Sequence, residues 1–192
     1  MFQFWKAWRE RKRSKTAETV ETFVVAIALA LLIRTEAAEA FYIPSESMVP
    51  TLLVGDRLVV EKVTRHFELP NRGDIVVFYP PEAAHPLTHD AWIKRVIGLP
   101  GDKIDIHGGK VYRNGKALNE PYIESEPLYP EPDWSRIGMP GGVVPKGDVF
   151  VMGDNRNNSD DGHVWGPLPA QNIIGRSVFR FWPLQRIGIE DR

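Results

Sequence analysis

The chain has 192 residues, of which 43% are hydrophobic and 26% charged, with a formal net charge of -1. That balance supports one globular domain with an appendage and excludes a wholly disordered or fibrous chain. It also excludes a general basic surface for nucleic acid, and zero cysteines exclude disulfides and thiolate metal sites.

The first stretch is locally basic, with Lys6, Arg9, Arg11, Lys12, Arg13 and Lys15 set against Glu10. An uninterrupted apolar run of about eleven residues follows, Phe23 to Ile33, where crossing a bilayer takes roughly twenty. One reading is a secretory signal peptide, with a basic region, an apolar region and the small-residue site Ala38-Glu39-Ala40 in order. Another is a single anchor over residues 20 to 40, with Glu21, Arg34 and Glu36 reaching towards headgroups. A buried helix fits less well after the Arg11 to Arg13 cluster. From the residues alone, signal peptide and anchor stay open, and both put segment 1–19 on the cytoplasmic side and residues 41 to 192 across the membrane.

Beyond residue 40 the chain reads as mostly β. Strand patterns occur in "DRLVVEKV" from Asp56, "GDIVVFYP" from Gly73, "AWIKRVIG" from Ala91, "KIDIHGGKVYRNGKAL" from Lys103, "DVFVMGD" from Asp148 and "NIIGRSVFRFW" from Asn172. Asn114-Gly115 signals a two-residue hairpin, and Leu99-Pro100-Gly101-Asp102 suits a type II turn. Pro80 to Asp90 and Pro121 to Pro145, rich in Pro, Gly and acidic residues, read as long excursions. His85 and His89 have a metal-like spacing on a helix, but Pro86 between them argues against that helix.

"FYIPSESMVPTLL", from Phe41 to Leu53, places Ser45 and Ser47 around Glu46. A serine nucleophile needs a base. His163, in "GDNRNNSDDGHVWGPLP", allows a Ser47-His163-Asp161 arrangement. The other base is Lys94, in "AWIKRVIGLPGD", which works near neutral pH only if desolvation or charge lowers its pKa by several units. Strand alternation puts Lys94 and Val96 on one side and Ile93 and Arg95 on the other, so one of the two cations faces an apolar layer. The competing bland reading is an exposed Lys94 beside a paired, buried Arg95.

"PSESMVPTL", "RGDIVVF", "IKRVIGLPGD" and "GDNRNNSDD" followed by "WGPLP" occur in that order. With these motifs the chain resembles the bacterial type I signal peptidases, membrane-anchored Ser/Lys proteases, from the anchor to about Trp182. The resemblance implies a coiled antiparallel sheet-and-barrel catalytic domain after one N-terminal transmembrane helix. It implies Ser47 as nucleophile, Lys94 as general base and Ser45, with the Ser47 N–H, as oxyanion donor. Ser159 would orient the base, Asp161 would support it and Met48 would line the substrate groove. The implied reaction removes signal peptides from preproteins after Ala-x-Ala-like sites, at the outer face of the cell membrane, with the lipid bilayer as partner and with no metal or organic cofactor.

The family pattern runs close to "GDNRDNSxDSRxWG", so Asn157, Gly162 and His163 are departures, and a protonated His163 takes the place of an arginine partner for Asp161. A calcium loop here fails because Leu168 stands where a bidentate Glu is needed, and Asn157-Asn158-Ser159 is also an N-x-S pattern. Glu46 replaces glycine between the two serines. A carboxylate about 6 Å from Lys94 favours the charged amine by about 2 to 3 kcal/mol at an effective dielectric near 20, about two pKa units against catalysis. On that expectation Glu46→Gly raises turnover, and the alternative function is an impaired, membrane-anchored peptide-binding protein of the same fold.

Overall fold

The computed structural model describes residues 15–84 and 90–189. The basic stretch up to residue 14 and the His85/His89 pair lie outside them. Two units divide between Ala37 and Ala38.

The first contains helix α1, Lys15–Glu36. Its alanines, leucines and lack of Gly or Pro favour helix, and Thr22 Oγ1 donates to Glu18 O at 2.8 Å. Every side chain from 16 to 30 is exposed, including Phe23, Val24 and Ile27. Among the described residues no helix is long and apolar enough to cross a membrane. The helix stops at Glu36 instead of the expected residue 40. Ala38-Glu39-Ala40 opens a strand, where the sequence allowed a cleavage site or the end of an anchor.

The second unit is mostly β, as expected. Its strands are β1 Ala38–Tyr42, β2 Arg57–Glu61, β3 Ile75–Phe78, β4 Trp92–Gly98, β5 Ile104–His107, β6 Lys110–Arg113, β7 Lys116–Ala117, β8 Asp148–Met152, β9 Leu168–Pro169 and β10 Ile173–Trp182. A seven-stranded sheet runs in the order β1-β2-β10-β3-β4-β8-β9, and β5-β6-β7 form a smaller three-stranded sheet. All the paired neighbours are antiparallel. The large sheet is open, with β1 and β9 at its edges. Register shifts in β10 against both β2 and β3 let this long strand bend between its neighbours.

The β6-β7 hairpin turns on Asn114 and Gly115, with φ of 54° and 76°, the paired left-handed conformations that Asn-Gly tolerates. The Leu99 to Asp102 turn closes through Asp102 N–H to Leu99 O at 2.9 Å. Burial covers both faces of β3 and β4. Ile75, Val77 and Ile93 join Ile43, Met48, Leu52 and Leu58 in one apolar cluster, while Val76, Phe78 and Val96 pack with Val149, Val151 and Trp165 in another. A chain reversal that enters β4 therefore meets a low-dielectric layer whichever way its side chains point.

Candidate active site

Strand β4 carries both cations inward. Lys94 is 5% exposed and Arg95 1%, so where one cation was expected to face an apolar layer both are buried, and the competing reading of an exposed Lys94 fails. Arg95 can be buried because it is fully paired: Nε and Nη2 donate to the Asp154 carboxylate at 2.8 and 2.7 Å, and Nη1 donates to Gly73 O at 2.8 Å. A bidentate guanidinium pair of this kind offsets the cost of removing both charges from water. Among the described residues Lys94 has no such partner.

Lys94 Nζ instead donates to Ser47 Oγ at 2.7 Å. Burial pushes the Lys94 amine below its ordinary value, and the negative charges of Asp161, Asp160 and Asp154 offset that only in part. A desolvated amine with one hydroxyl partner is set up to hold a lone pair and exchange a proton with that hydroxyl. Ser47 is itself buried. The turn presenting it is tied to β1 by Ile43 N–H to Asp56 O and Gly55 N–H to Ile43 O, and to the far loop by Asn155 N–H to Ser47 O at 3.1 Å.

Ser45 is exposed, with Oγ 3.4 Å from Ser47 Oγ. Among the described residues the Ser47 N–H donates to no protein acceptor, which leaves it available beside Ser45. A groove opens over these groups, lined by Pro44, Ser45, Glu46, Ser47, Asp90, Trp92, Ile93, Lys94, Asn158 and Asp160. Met48, expected on its wall, is instead fully buried in the first apolar cluster. Met48 thus packs in the core next in sequence to Ser47 and not on the groove wall.

Ser159 and Asp161 lie behind the lysine, in the loop after β8. Asp161 is completely buried and caps the short helix α2, Gly162–Trp165, by accepting from His163 N–H at 3.1 Å. Its other contacts are the Ser159 hydroxyl at 2.6 Å, the Gly153 N–H at 2.8 Å and His163 Nδ1 at 2.8 Å. Burial pushes Asp161 up, but the His163 hydrogen bond and charge, with the Gly153 and Ser159 donors, outweigh it and hold the carboxyl below the usual range. The Ser159 proton is therefore committed to Asp161, and no hydrogen bond joins Ser159 to Lys94. His163 binds Asp161 but has no hydrogen bond to Ser47, whose partner is Lys94; the Ser47-His163-Asp161 relay is not assembled.

Glu46 does not fulfil its expectation. Its side chain is exposed, its carbonyl accepts from Asn155 Nδ2 at 3.1 Å, and its Oε2 lies 3.4 Å from Asn158 Nδ2. The charges acting on Lys94 are Asp161, Asp160 and Asp154, without Glu46. Among the described residues Asn114 is the non-glycine residue at positive φ, so Glu46 occupies no conformation that calls for glycine. The expected charge penalty loses its footing because the carboxylate is exposed and meets Asn158 instead of Lys94.

Sequence reasoning passed over Gly153. A Cβ there would collide with Ser47 O and Ser159 Oγ and come within 2.6 Å of Ser159 Cβ. The residue is bare because the Ser47 turn and the Ser159 loop both press on it. Its place at the head of "GDNR" was the available signal, but only the contacts disclose the reason.

The family model described as "Signal peptidase, peptidase S26" matches residues 16–182. "Signal peptidase I" of Leptolyngbya laminosa is 52% identical over 178 residues, covering 91% of this chain and 84% of that protein. "Probable signal peptidase I-1" of Synechocystis sp. is 53% identical over 174 residues, covering 89% of this chain and 85% of its own. A solved signal peptidase I from Enterococcus faecalis aligns with 57% of this chain and 97% of its own at 27% identity and a TM-score of 0.46. By the span of the family match and the identity to these relatives, the chain belongs to the signal peptidase family, peptidase S26.

Proposed function

We propose that this chain is a serine endopeptidase that removes N-terminal signal peptides from exported preproteins after Ala-x-Ala-like sites, using Ser47 as nucleophile and Lys94 as general base. The observation that carries the reading is the 2.7 Å contact between Lys94 Nζ and Ser47 Oγ in a desolvated setting. Neutral Lys94 takes the Ser47 proton as Oγ attacks the scissile carbonyl carbon. The resulting oxyanion is held by the Ser47 N–H and the Ser45 hydroxyl, donors of a kind whose loss typically costs roughly 10²- to 10³-fold. Lys94 then passes its proton to the departing amine, leaving an ester on Ser47. Water, deprotonated by the same amine, hydrolyses that ester and restores the serine.

In this reading Ser159 and Asp161 act as positioning residues: their mutual hydrogen bond and the Gly153 contact fix the wall behind Lys94. Helix α1 serves as a single anchor at the cell membrane, with the basic segment on the cytoplasmic side and the β unit on the outer face. Its exposed apolar side chains and the preceding positive charge support that topology, and protease accessibility of the β unit in sealed vesicles tests it.

The enzyme assay is cleavage of a purified preprotein by the wild type, Ser47→Ala and Lys94→Ala. Loss of turnover in both variants is expected, with a wild-type acid limb below the ordinary lysine value, since turnover rises with pH as Lys94 gives up its proton. Turnover indifferent to either substitution overturns the dyad. Loss in His163→Ala with Lys94→Ala still active would move the base to His163.

A further inference from the structure

The long excursion after β7 has no part in the dyad, yet it touches the site's supporting groups at successive points. Glu120 receives Arg156 Nη1 and Nη2 at 2.8 and 2.5 Å, and Arg156 Nε donates to Gly153 O at 3.1 Å. Tyr122 donates to Glu120 at 2.8 Å and lays its ring 4.0 Å from the guanidinium carbon of Arg95, the neighbour of Lys94. Further on, Asn157 uses both ends of its amide: Oδ1 accepts from Leu128 N–H at 2.8 Å and Nδ2 donates to Glu126 O at 3.0 Å. Tyr129 then stacks on His163, with ring centroids 3.9 Å apart and planes 11° from parallel.

Resting on the function proposed above, we infer that residues 120–129 form a strap that positions the general-base machinery, with Asn157 and Tyr129 as its positioning residues. The strap grips the loop between β8 and α2 on both sides of Ser159 and Asp161. Asn157 is suited to this because it faces one backbone donor and one backbone acceptor; an aspartate there would place negative charge against Glu126 O. Tyr129 is suited because its ring closes one face of His163, whose Nδ1 meets Asp161. Among the described residues the Tyr129 hydroxyl has no hydrogen-bond partner, so the stack and not the hydroxyl is the functional part. The strap's effect reaches Lys94 through Asp161, whose charge acts on the amine more strongly than those of Asp160 and Asp154.

Preprotein cleavage tests this with Tyr129→Ala, Tyr129→Phe and Asn157→Asp, against Ser47→Ala and Lys94→Ala as baselines. Releasing the ring lets the Asp161 loop shift, and a displacement of a fraction of an ångström to an ångström costs about ten- to a hundredfold in kcat. Tyr129→Ala is expected to lose at least about tenfold in kcat with KM within about threefold, and to move the acid limb of kcat/KM to higher pH as His163 compensates Asp161 less well. Tyr129→Phe keeps the stack and is expected to recover the rate. Asn157→Asp is expected to lower kcat in the same sense, and it decides the matter if Tyr129→Ala does not fold. A Tyr129→Ala protein with wild-type kcat and acid limb, or an equal loss in Tyr129→Phe, overturns the strap. If the Ser47 and Lys94 baselines remain active, the proposed function falls instead, whatever the strap variants do.

Discussion

Replacing Gly153 with alanine adds one methyl group at a crowded point behind Ser47. The new Cβ would stand 2.6 Å from Ser159 Cβ and collide with Ser47 O and Ser159 Oγ. Carbon atoms rest about 3.5 to 4.0 Å apart, so the Ser159 loop and the Ser47 turn must separate by roughly 1 Å. That separation pulls on the Gly153 N–H to Asp161 bond and on the Asn155 N–H to Ser47 O bond. A misplacement of about 1 Å at a reacting group costs on the order of 10²-fold in rate, equivalent to about 2.7 kcal/mol in the barrier. Overpacking costs about 1 to 3 kcal/mol of stability as well. The assay is single-turnover cleavage of a preprotein alongside urea unfolding, so that rate is read only where the protein is folded. A folded Gly153→Ala enzyme with kcat within about threefold of wild type would refute the claim that this contact sets the Ser47 geometry.

Two further outcomes concern charge. Burial pushes Asp102 up, but the Arg72 guanidinium, the Leu99 N–H and the Asn114 amide outweigh it and hold the carboxyl at about 2. A carboxyl lowered on folding contributes stability that is present above its unfolded value near 4 and is lost as pH falls towards 2. With Arg72 44% exposed, screening leaves about 1 to 2 kcal/mol. Urea unfolding of Asp102→Asn is expected to show that deficit at pH 7 and a shrinking one towards pH 2; a deficit unchanged across this range refutes the pairing argument. Glu46→Gly is expected to leave kcat/KM within about threefold, since an exposed carboxylate is screened and its backbone needs no glycine; a tenfold rise measured on a preprotein would restore the view that this carboxylate opposes catalysis.

The strands centred on Leu58, Val76, Lys94, Ile106, Val151 and Ile174 were legible because alternation or a short apolar run states a buried face directly. Strand β1 was not: "AEAFY" carries alanine and glutamate, poor strand formers, and follows an apolar run that drew the reading towards a longer helix. It forms because β2 offers a full partner, from Ala38 opposite Glu61 to Tyr42 opposite Arg57. Strand β9 was also missed, being two residues long and ending in proline. Motif order named Ser47 and Lys94 as candidates and the fold brings them into contact, whereas Met48, expected on the groove wall, is buried in the core, because a motif does not say which way a turn aims each side chain.

What the sequence determined by itself was the inventory: two serines around Glu46, a lysine in an apolar strand, a polar loop ending at His163, and turns that hand the chain from strand to strand. Those follow from local preference and from the order of residue types. Tertiary structure decided what each group is worth. Lys94 is depressed because layers distant in sequence remove its water, and Glu46 is exposed and not among the charges that act on it. His163 meets Asp161 instead of Ser47, and the excursion after β7 contacts Asn157 and His163 on either side of Ser159 and Asp161. Charge and desolvation depend on distances between segments that can lie more than a hundred residues apart, and those distances exist only once the sheet has brought the segments together.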